Sequence, residues 1–374
     1  MLYRSTDRLS RRGAPVENLA HSASLDSCIE IAPSKPGIKH LGNLAAPVTR
    51  AQDFMAPEQL RVGIVPYISS GPTFIAIAKG YFDKVNLKIT TQSFADGGLA
   101  IPILTAGELD VTVSTCSAGL FNTLAKGAPF RLIMDRSQEL PQRGSQCFMV
   151  SNELHAKGLT SIAQMAKAKG SIIGISVRGS ISQLLYTKAL EKGGLTPDDV
   201  EWQWGVAGNS SPQLLGANRI GIANLPVPLC FAVEKRGAAK ILFWGDEAQP
   251  GAQVGLWAAS GEARTRRRSA LVRFAMAQLQ AARDFMKAAS DSNPEINRIL
   301  AEATQLPPEL IEGARPRWSG YPLDGMPNVA SVMEQGAFWA KAGLIPKAPT
   351  PAETFDLGIA EEARKRLDDR NPFV

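Results

Sequence analysis

The sequence contains few of the residues on which metal sites and many catalytic sites depend. Four cysteines and three histidines occur among 374 residues. The cysteines form no C-x-x-C pair and have no histidine at metal-ligand spacing, so the pattern favours buried thiols over a zinc site or a disulfide framework. The histidines form no H-x-x-x-H pattern, which leaves little material for a histidine-based catalytic site. We therefore expect no metal and no cofactor.

Several longer patterns are also missing. There is no Walker A motif, no G-x-G-x-x-G after a strand and no G-x-S-x-G elbow, which removes the commonest sequence routes to catalysis in an α/β protein. No apolar run approaches the ~18 residues of a transmembrane helix. The first residues lack the apolar core of roughly 7–15 residues that an export signal requires, so no export signal is predicted.

The formal net charge is +6, but the basic residues are scattered. The densest run, Arg264 to Arg268, has no aromatic residues between its charges, and no repeating basic stripe accompanies it, so nucleic-acid binding is not predicted. A solvated helix face is the expected role of this run. A mild positive field would still attract an anionic ligand.

The order of short apolar segments predicts two α/β units after an irregular leader. Residues 1–58 are rich in proline, serine and alanine and show no sustained periodicity, so we expect a disordered or extended leader. From Arg61 onward, short apolar strands alternate with helices of about ten residues, which is typical of a mainly parallel sheet. The rhythm predicts lobe 1 over residues 59–150, lobe 2 over 151–251, and a helical return to lobe 1 over 252–374.

The order of motifs within this pattern is specific. A first strand "RVGIV" and the helix after it lead to "KGYFDKVNLKI", a Gly-rich turn, "LTAGELDVTVS" and "LAKGAPFRLI". With these motifs the chain resembles periplasmic substrate-binding proteins of the nitrate, sulfonate, taurine and thiamine-precursor import group, from about Arg61 to Leu367. The resemblance implies a type II periplasmic-binding-protein fold: two α/β lobes, each a mainly parallel sheet flanked by helices, that close on ligand like a hinged clamp.

The resemblance also implies a function. Such a protein is the solute-binding component of an ABC transporter: it captures a small organic anion of sulfonate or carboxylate type in the interlobe cleft and delivers it to the permease and ATPase subunits. The expected state is a periplasmic monomer without catalytic activity. One departure from many relatives is the segment "IGIANLPVPLC", which replaces an acidic strand and a Trp-Glu-Pro turn.

An enzyme on the same scaffold is the alternative. Relatives of the resembled family include thiamine-pyrimidine synthases and a desulfinase that uses a cysteine, and a cytoplasmic enzyme would need no export signal. Cys116 is the thiol that the strand pattern places in the expected cleft. Against this interpretation, no histidine lies near Cys116 in the strand and loop assignment, and the synthase's Cys-rich motif is missing.

Candidate ligand-binding residues follow from a rule of open α/β sheets, in which ligands lie beyond the carboxyl ends of the strands. The segments at these ends carry hydroxyl, amide and glycine residues, and one tryptophan lies near the second crossover. The candidates are Tyr67, Ser69, Ser70, Asp96, Gly97, Ser114, Thr115, Cys116, Arg178, Gly179, Ser180, Ser182, Asn209, Asn224 and Trp257.

The pair Gly179 and Ser180 is the sharpest of these candidates. Gly179 permits close approach of a ligand, and the free N–H groups at the start of the following helix suit an anion. Arg178 would add a bidentate contact to a carboxylate or sulfonate. The competing interpretation is that Ser180 only caps the helix and that Arg178 points to solvent.

Overall fold

Short strands and helices alternate along the part of the chain that the computed structural model describes, which comprises residues 56–206, 208 and 210–374. The predicted leader, apart from its last three residues, and the predicted contact residue Asn209 lie outside the described residues. The strands, in chain order, are β1 Glu58–Ile64, β2 Leu87–Ser93, β3 Val111–Thr115, β4 Arg131–Gln138, β5 Gln146–Val150, β6 Ile172–Ile175, β7 Glu201–Trp204, β8 Ile222–Pro226, β9 Lys240–Trp244 and β10 Gln253–Ala259.

These strands form two five-stranded sheets built on one plan. The first has the order β2-β1-β3-β10-β4 and the second the order β7-β6-β8-β5-β9. In the first, β1 is parallel to β2 and β3, and β10 is antiparallel to both of its neighbours. In the second, β6 is parallel to β7 and β8, and β5 is antiparallel to both of its neighbours. The expectation of mainly parallel, mixed α/β lobes is therefore confirmed.

Two crossovers connect the sheets. The chain leaves the first sheet after β4 and returns to it with β10, so the crossovers are residues 139–145 and 245–252. Because β5 pairs with β8 and β9, it belongs to the second sheet, and the boundary predicted after residue 150 comes one strand too late. The boundary predicted at residue 251 falls inside the second crossover. We call each sheet with its helices the first lobe and the second lobe.

Helices connect the strands and then extend the C-terminal part of the chain. Their bounds are α1 Gly71–Ala78, α2 Tyr81–Lys84, α3 Ile101–Thr105, α4 Ala118–Ala125, α5 Asn152–Ala156, α6 Ile181–Lys192, α7 Ser211–Gly216, α8 Leu229–Lys235, α9 Gly245–Ala248, α10 Gly261–Arg266, α11 Arg268–Ser290, α12 Pro294–Thr304, α13 Pro308–Gly313, α14 Val329–Lys341, α15 Pro351–Thr354 and α16 Gly358–Asp369. Of the helices that the structure describes, none is both long enough and apolar enough to cross a membrane.

The central strands are buried on both faces, as expected for a sheet covered by helices on two sides. Every residue of β10 is buried, whereas the edge strand β2 is largely exposed. Helix α11 packs on α1 and α16 of the first lobe and buries Phe274 and Phe285, which contact Trp257 and Trp318. The C-terminal helices therefore return to the first lobe.

The basic run at the start of α11 has carboxylate partners. Arg267 forms an ion pair with the buried Asp110, and Arg264 and Arg268 form ion pairs with Asp356. The predicted solvated face is therefore partly wrong, because Arg267 ties this segment to the residue before β3, and Arg264 and Arg268 tie it to the segment between α15 and α16.

Candidate functional site

A cavity of about 590 Å³ lies between the two lobes. Its walls come from the carboxyl ends of β1, β2, β3 and β4 in the first lobe and of β6 and β8 in the second. The amino ends of the antiparallel strands β5 and β10 contribute as well, because they lie at the same edges of the sheets. The cavity therefore occupies the position that the carboxyl-end rule predicts for a ligand.

Nine of the predicted residues line this cavity. From the first lobe they are Tyr67, Ser69, Asp96, Gly97, Ser114 and Thr115, and from the second Ser180, Ser182 and Asn224. Several of them already have side-chain partners in the protein, Asp96 and Ser114 among them. The carboxylate of Asp96 accepts from the Gly98 N–H at 2.7 Å, and the Ser114 hydroxyl donates to the Leu256 carbonyl at 3.2 Å. Both contacts shape the first-lobe loops.

Cys116 and Trp257 do not reach the cavity. Cys116 is fully buried, its backbone N–H donates to the Val254 carbonyl at 3.0 Å, and burial raises the pKa of its thiol far above the ordinary range. Trp257 packs edge-on against Phe274 in the core, with ring centroids 4.9 Å apart. Neither residue lies at the cavity wall, because Cys116 is bonded to β10 within the core and Trp257 packs against Phe274 of α11.

The segment before α6 also differs from the expectation. Arg178 lies over the ring of Trp204, 6.0 Å from its centroid, outside the cavity. Gly179 has φ +79° and packs against Ala118, whose N–H donates to the Gly179 carbonyl at 2.8 Å. Gly179 thus allows the two lobes to approach closely, since a Cβ added at this position would lie 2.6 Å from the Cβ of Ala118.

Ser180 makes no side-chain hydrogen bond to the start of α6. Its hydroxyl is buried, has no hydrogen-bond partner among the described residues, and belongs to a residue that lines the cavity. The capping interpretation therefore does not account for Ser180.

A buried arginine of the first lobe is the residue that the sequence interpretation missed. Arg136 lies at the carboxyl end of β4, lines the cavity and is only 7% exposed. One guanidinium nitrogen, Nη2, donates to the hydroxyls of Ser69 and Ser70, each at 3.0 Å. Ser70 is buried, and it accepts from Arg136 instead of lining the cavity. The carboxyl-end rule applied to β4, which has a polar carboxyl end, was the available signal.

The charge of Arg136 has no direct counter-ion among the described residues. Its guanidinium forms no ion pair with a carboxylate, and its Nε has no hydrogen-bond partner. Burial lowers the pKa of Arg136, while Tyr321, Asp135 and Asp96 act in the opposite direction. Arginine stays protonated in proteins, so Arg136 brings to the cavity wall a cation with one buried donor that has no partner among the described residues.

Two further buried first-lobe hydroxyls have no partner among the described residues. They belong to Ser137 and Ser319, which both line the cavity. A buried polar group left without a partner costs roughly 1–3 kcal/mol. The first-lobe wall therefore includes one cation and two buried hydroxyls that have no partner among the described residues.

The polar groups of the second-lobe wall are instead bonded largely to one another. The Ser182 hydroxyl lies 3.2 Å from Gln146 Oε1 and 3.1 Å from Asn224 Oδ1, and Asn224 Nδ2 donates to the Cys147 carbonyl at 3.1 Å. Ser176 and Ser180 also line this wall, and its apolar part is formed by Ile175, Val177, Ile181, Val206, Val227 and Leu229. Part of the second-lobe wall comes from the segment "IGIANLPVPLC", which differs from the corresponding segment expected from the resemblance.

The crossovers meet at a buried pair of acidic side chains. Glu139 in the first crossover accepts from the Ser145 hydroxyl at 3.3 Å and from the Gln146 N–H at 3.2 Å. Burial and the neighbouring Asp246 of α9 raise the pKa of Glu139 to about 8. Asp246 accepts from the Gln142 N–H at 2.8 Å and from Arg317 at 3.1 Å. Burial and Asp246 therefore favour the protonated form of Glu139.

Comparison with known proteins places the chain in a family. Residues 55–297 match the NMT1-like family. The chain belongs to the NMT1-like family. No curated protein matches the sequence. Within the described residues, no group of three or more side chains is arranged to hold a metal ion.

Solved structures similar to this member of the NMT1-like family show the same fold. A ligand-binding component of an ABC-type import system from Staphylococcus aureus aligns with TM-score 0.67 and 15% identity over 82% of this chain and 99% of that one. The nitrate-binding protein NrtA from Synechocystis aligns with TM-score 0.67 and 13% identity over 86% of this chain and 91% of that one. The alkanesulfonate-binding protein SsuA from Xanthomonas axonopodis, bound to MOPS, aligns with TM-score 0.61 and 20% identity over 79% of this chain and 97% of that one. The NMT1-like chain thus has the periplasmic-binding-protein fold.

Proposed function

We propose that this NMT1-like protein is the solute-binding component of an ABC importer and that its ligand is a small organic anion. The observation that carries the proposal is Arg136, a buried cation without a carboxylate partner at the wall of an interlobe cavity. A buried charge is expensive unless it is paired, so the site is complete when a ligand supplies the anion. A sulfonate or carboxylate would accept from Arg136 Nε and from the hydroxyls of Ser137 and Ser319.

The size and lining of the cavity support an organic ligand. A volume of about 590 Å³ is within the usual range of ~300–1,000 Å³ for small-molecule sites, and an inorganic oxyanion alone would fill a small part of it. Apolar side chains from both lobes, among them Val65, Val113, Ile175, Val206 and Leu229, surround the remaining space. The anionic group would bind at the first lobe, and the apolar body would lie against the second.

Solute capture fits the site better than catalysis. Of the residues that the structure describes, no cysteine and no histidine lines the cavity. The thiol of Cys116 is buried in the core. The similar structures named above are a ligand-binding component of an ABC-type import system, a periplasmic nitrate-binding protein and an alkanesulfonate-binding protein. A periplasmic location and delivery to a permease with its ATPase are the corresponding parts of the proposal.

A thermal-shift comparison tests the ligand class. The probes are hexanesulfonate, hexanoate, nitrate and neutral 1-hexanol at matched concentrations. A ligand that binds only the folded state stabilises it by RT ln(1 + [L]/Kd), about 2.7 kcal/mol at 100 Kd. We expect the two organic anions to raise Tm, nitrate to raise it little and hexanol not at all. An equal effect of hexanol and hexanesulfonate would contradict the proposal.

Recovery of the ligand tests the absence of catalysis. The best probe is incubated with the protein at a stoichiometric ratio, released by denaturation and analysed by mass spectrometry. We expect unchanged ligand at all times. Time-dependent conversion by the wild type that is lost in Arg136→Gln would instead identify an enzyme.

A further inference from the structure

Two of the described cysteines lie next to each other in the second lobe. Helix α8 connects β8 to β9, and β5 lies between these two strands in the sheet, so α8 crosses β5. Cys147 of β5 and Cys230 in the first turn of α8 belong to the same buried cluster, and both are fully buried. The Cys230 thiol acts on the Cys147 thiol and, after burial, is the main cause of the raised pKa of Cys147. The topology and this interaction therefore place two free thiols between β5 and α8.

This thiol pair lies directly behind the second-lobe wall of the cavity. Gln146 and Leu229, the residues immediately before the two cysteines, both line the cavity. The Cys147 carbonyl also accepts from Asn224 Nδ2, and Asn224 lines the cavity as well. A covalent link between the two sulfurs would hold β5 and α8 together immediately behind the groups that meet the ligand.

We propose that Cys147 and Cys230 are a disulfide-forming pair that closes when the chain folds in the presence of a disulfide oxidant. In the reaction, the thiolate of one cysteine attacks the oxidant, breaks its S–S bond and releases one thiolate. The second cysteine then attacks the mixed disulfide, forms the Cys147–Cys230 bond and releases the second thiolate. The two cysteines lose two protons and two electrons, and the oxidant is reduced to two thiols.

Burial decides when this reaction takes place. The thiolate is the reactive form of cysteine, and burial raises the pKa of Cys147 well above its ordinary value. The folded, reduced chain therefore reacts slowly, and the bond forms during folding, before α8 covers β5. The same burial then shields the disulfide from reductants. The proposal concerns the thiols alone and does not depend on the transport function.

The disulfide would close a long loop, because the two cysteines are separated by about 80 residues of sequence. Cross-links that close loops of this length stabilise mainly by limiting the unfolded chain. We expect Tm of the cross-linked protein to exceed that of the reduced protein by about 5–10 °C.

Refolding of the full chain provides the test. Denatured, reduced protein is refolded in a mixture of oxidised and reduced glutathione, alkylated and analysed by intact mass and by non-reducing peptide mapping. We expect a loss of two hydrogens and one linked peptide pair containing Cys147 and Cys230. Cys147→Ser and Cys230→Ser should each abolish this link and the rise in Tm, whereas Cys116→Ser and Cys28→Ser should retain both.

The wild-type experiment decides the matter even if a cysteine variant folds poorly. Free, alkylated thiols at both Cys147 and Cys230 after refolding would overturn the proposal, and so would cross-linking of either residue to Cys116 or Cys28 in similar yield. A further comparison exposes folded, reduced protein to oxidised glutathione without denaturant. We expect cross-linking at least about ten times slower than during refolding.

Discussion

The two walls of the cleft differ in how their polar groups are partnered. On the first-lobe wall, the Nε of Arg136 and the hydroxyls of Ser137 and Ser319 have no partner among the described residues. On the second-lobe wall, Ser182 and Asn224 are already hydrogen-bonded within the protein. The difference supports the proposal that the first lobe recognises charge and that the second supplies mainly shape and apolar surface. We infer that the ligand binds first to the first lobe and that the second lobe then closes on it.

Removal of the first-lobe charge should have the largest effect. Arg136→Gln keeps a polar side chain but removes the cation, and we expect Kd for the best anionic probe to rise by about 100-fold, because a charge-assisted contact in a desolvated site is lost. Isothermal titration calorimetry measures the change. The matched control is Arg178→Gln, which removes an arginine outside the cavity and should change Kd by less than about two-fold.

The crossover that joins the two walls should make stability depend on pH. The pKa of Glu139 is raised to about 8 in the folded protein, against its ordinary value of about 4.3 in an unfolded chain. Between these values the folded state keeps a proton that the unfolded state has released. The contribution of Glu139 to the free energy of unfolding is therefore complete below pH 4. It falls as pH rises toward 8, by on the order of 1 kcal/mol per pH unit.

The variant Glu139→Gln isolates that dependence. It cannot ionise, so urea unfolding between pH 5 and pH 8 should show a flatter decline of the free energy of unfolding than in the wild type. Asp135, whose pKa burial raises to about 7, contributes a residual slope in both proteins. The exposed Glu262→Gln serves as control and should keep the wild-type slope. A parallel decline in Glu139→Gln and wild type would show that Glu139 does not titrate as described.

Removal of the unpartnered first-lobe hydroxyls should separate binding from stability. In the double variant Ser137→Ala, Ser319→Ala, we expect Kd for an anionic probe to rise by about ten-fold, because two hydrogen bonds to the anion are lost. Stability without ligand should be unchanged or higher, because two buried groups without partners are removed. Calorimetry and thermal unfolding of the same samples measure both. Loss of stability with unchanged Kd would mean that these hydroxyls serve the fold.

The second-lobe hydroxyl should matter least. Ser180→Ala removes the polar group of that wall that has no partner, and we expect Kd to rise by about two- to five-fold, as for one neutral hydrogen bond. The control Ser182→Ala affects a hydroxyl already engaged with Gln146 and Asn224. If Ser180→Ala weakened binding as strongly as Arg136→Gln, the second lobe would carry the recognition and the comparison would be reversed.

Much of the fold and part of the candidate site follow from the sequence. Alternating strands and helices indicate the two sheets, and the carboxyl-end rule selects Tyr67, Ser69 and Ser180 because the ends of parallel strands meet at one edge. The positions of Cys116 and Trp257 depend on the antiparallel strand β10 and the helix α11 that covers it, and both come from distant sequence. Local patterns do not reveal such packing.

Arg136 illustrates a different limit. Its strand was identifiable, but whether a cation in a strand finds a carboxylate partner depends on which side chains the folded chain places around it. The assignment of β5 to the second sheet has a similar origin, since pairing with β8 and β9 joins residues about 75 to 95 positions apart.

The structure of a complex tests the central claim most directly. A crystal structure with the organic anion that gives the largest thermal shift should show an anionic oxygen about 3 Å from Arg136 Nε, with its other oxygens near Ser137 and Ser319 and its apolar body against Val206 and Leu229. An anionic group bound at the start of α6 or in solvent, with Arg136 Nε still without a partner, would contradict the assignment of charge recognition to the first lobe.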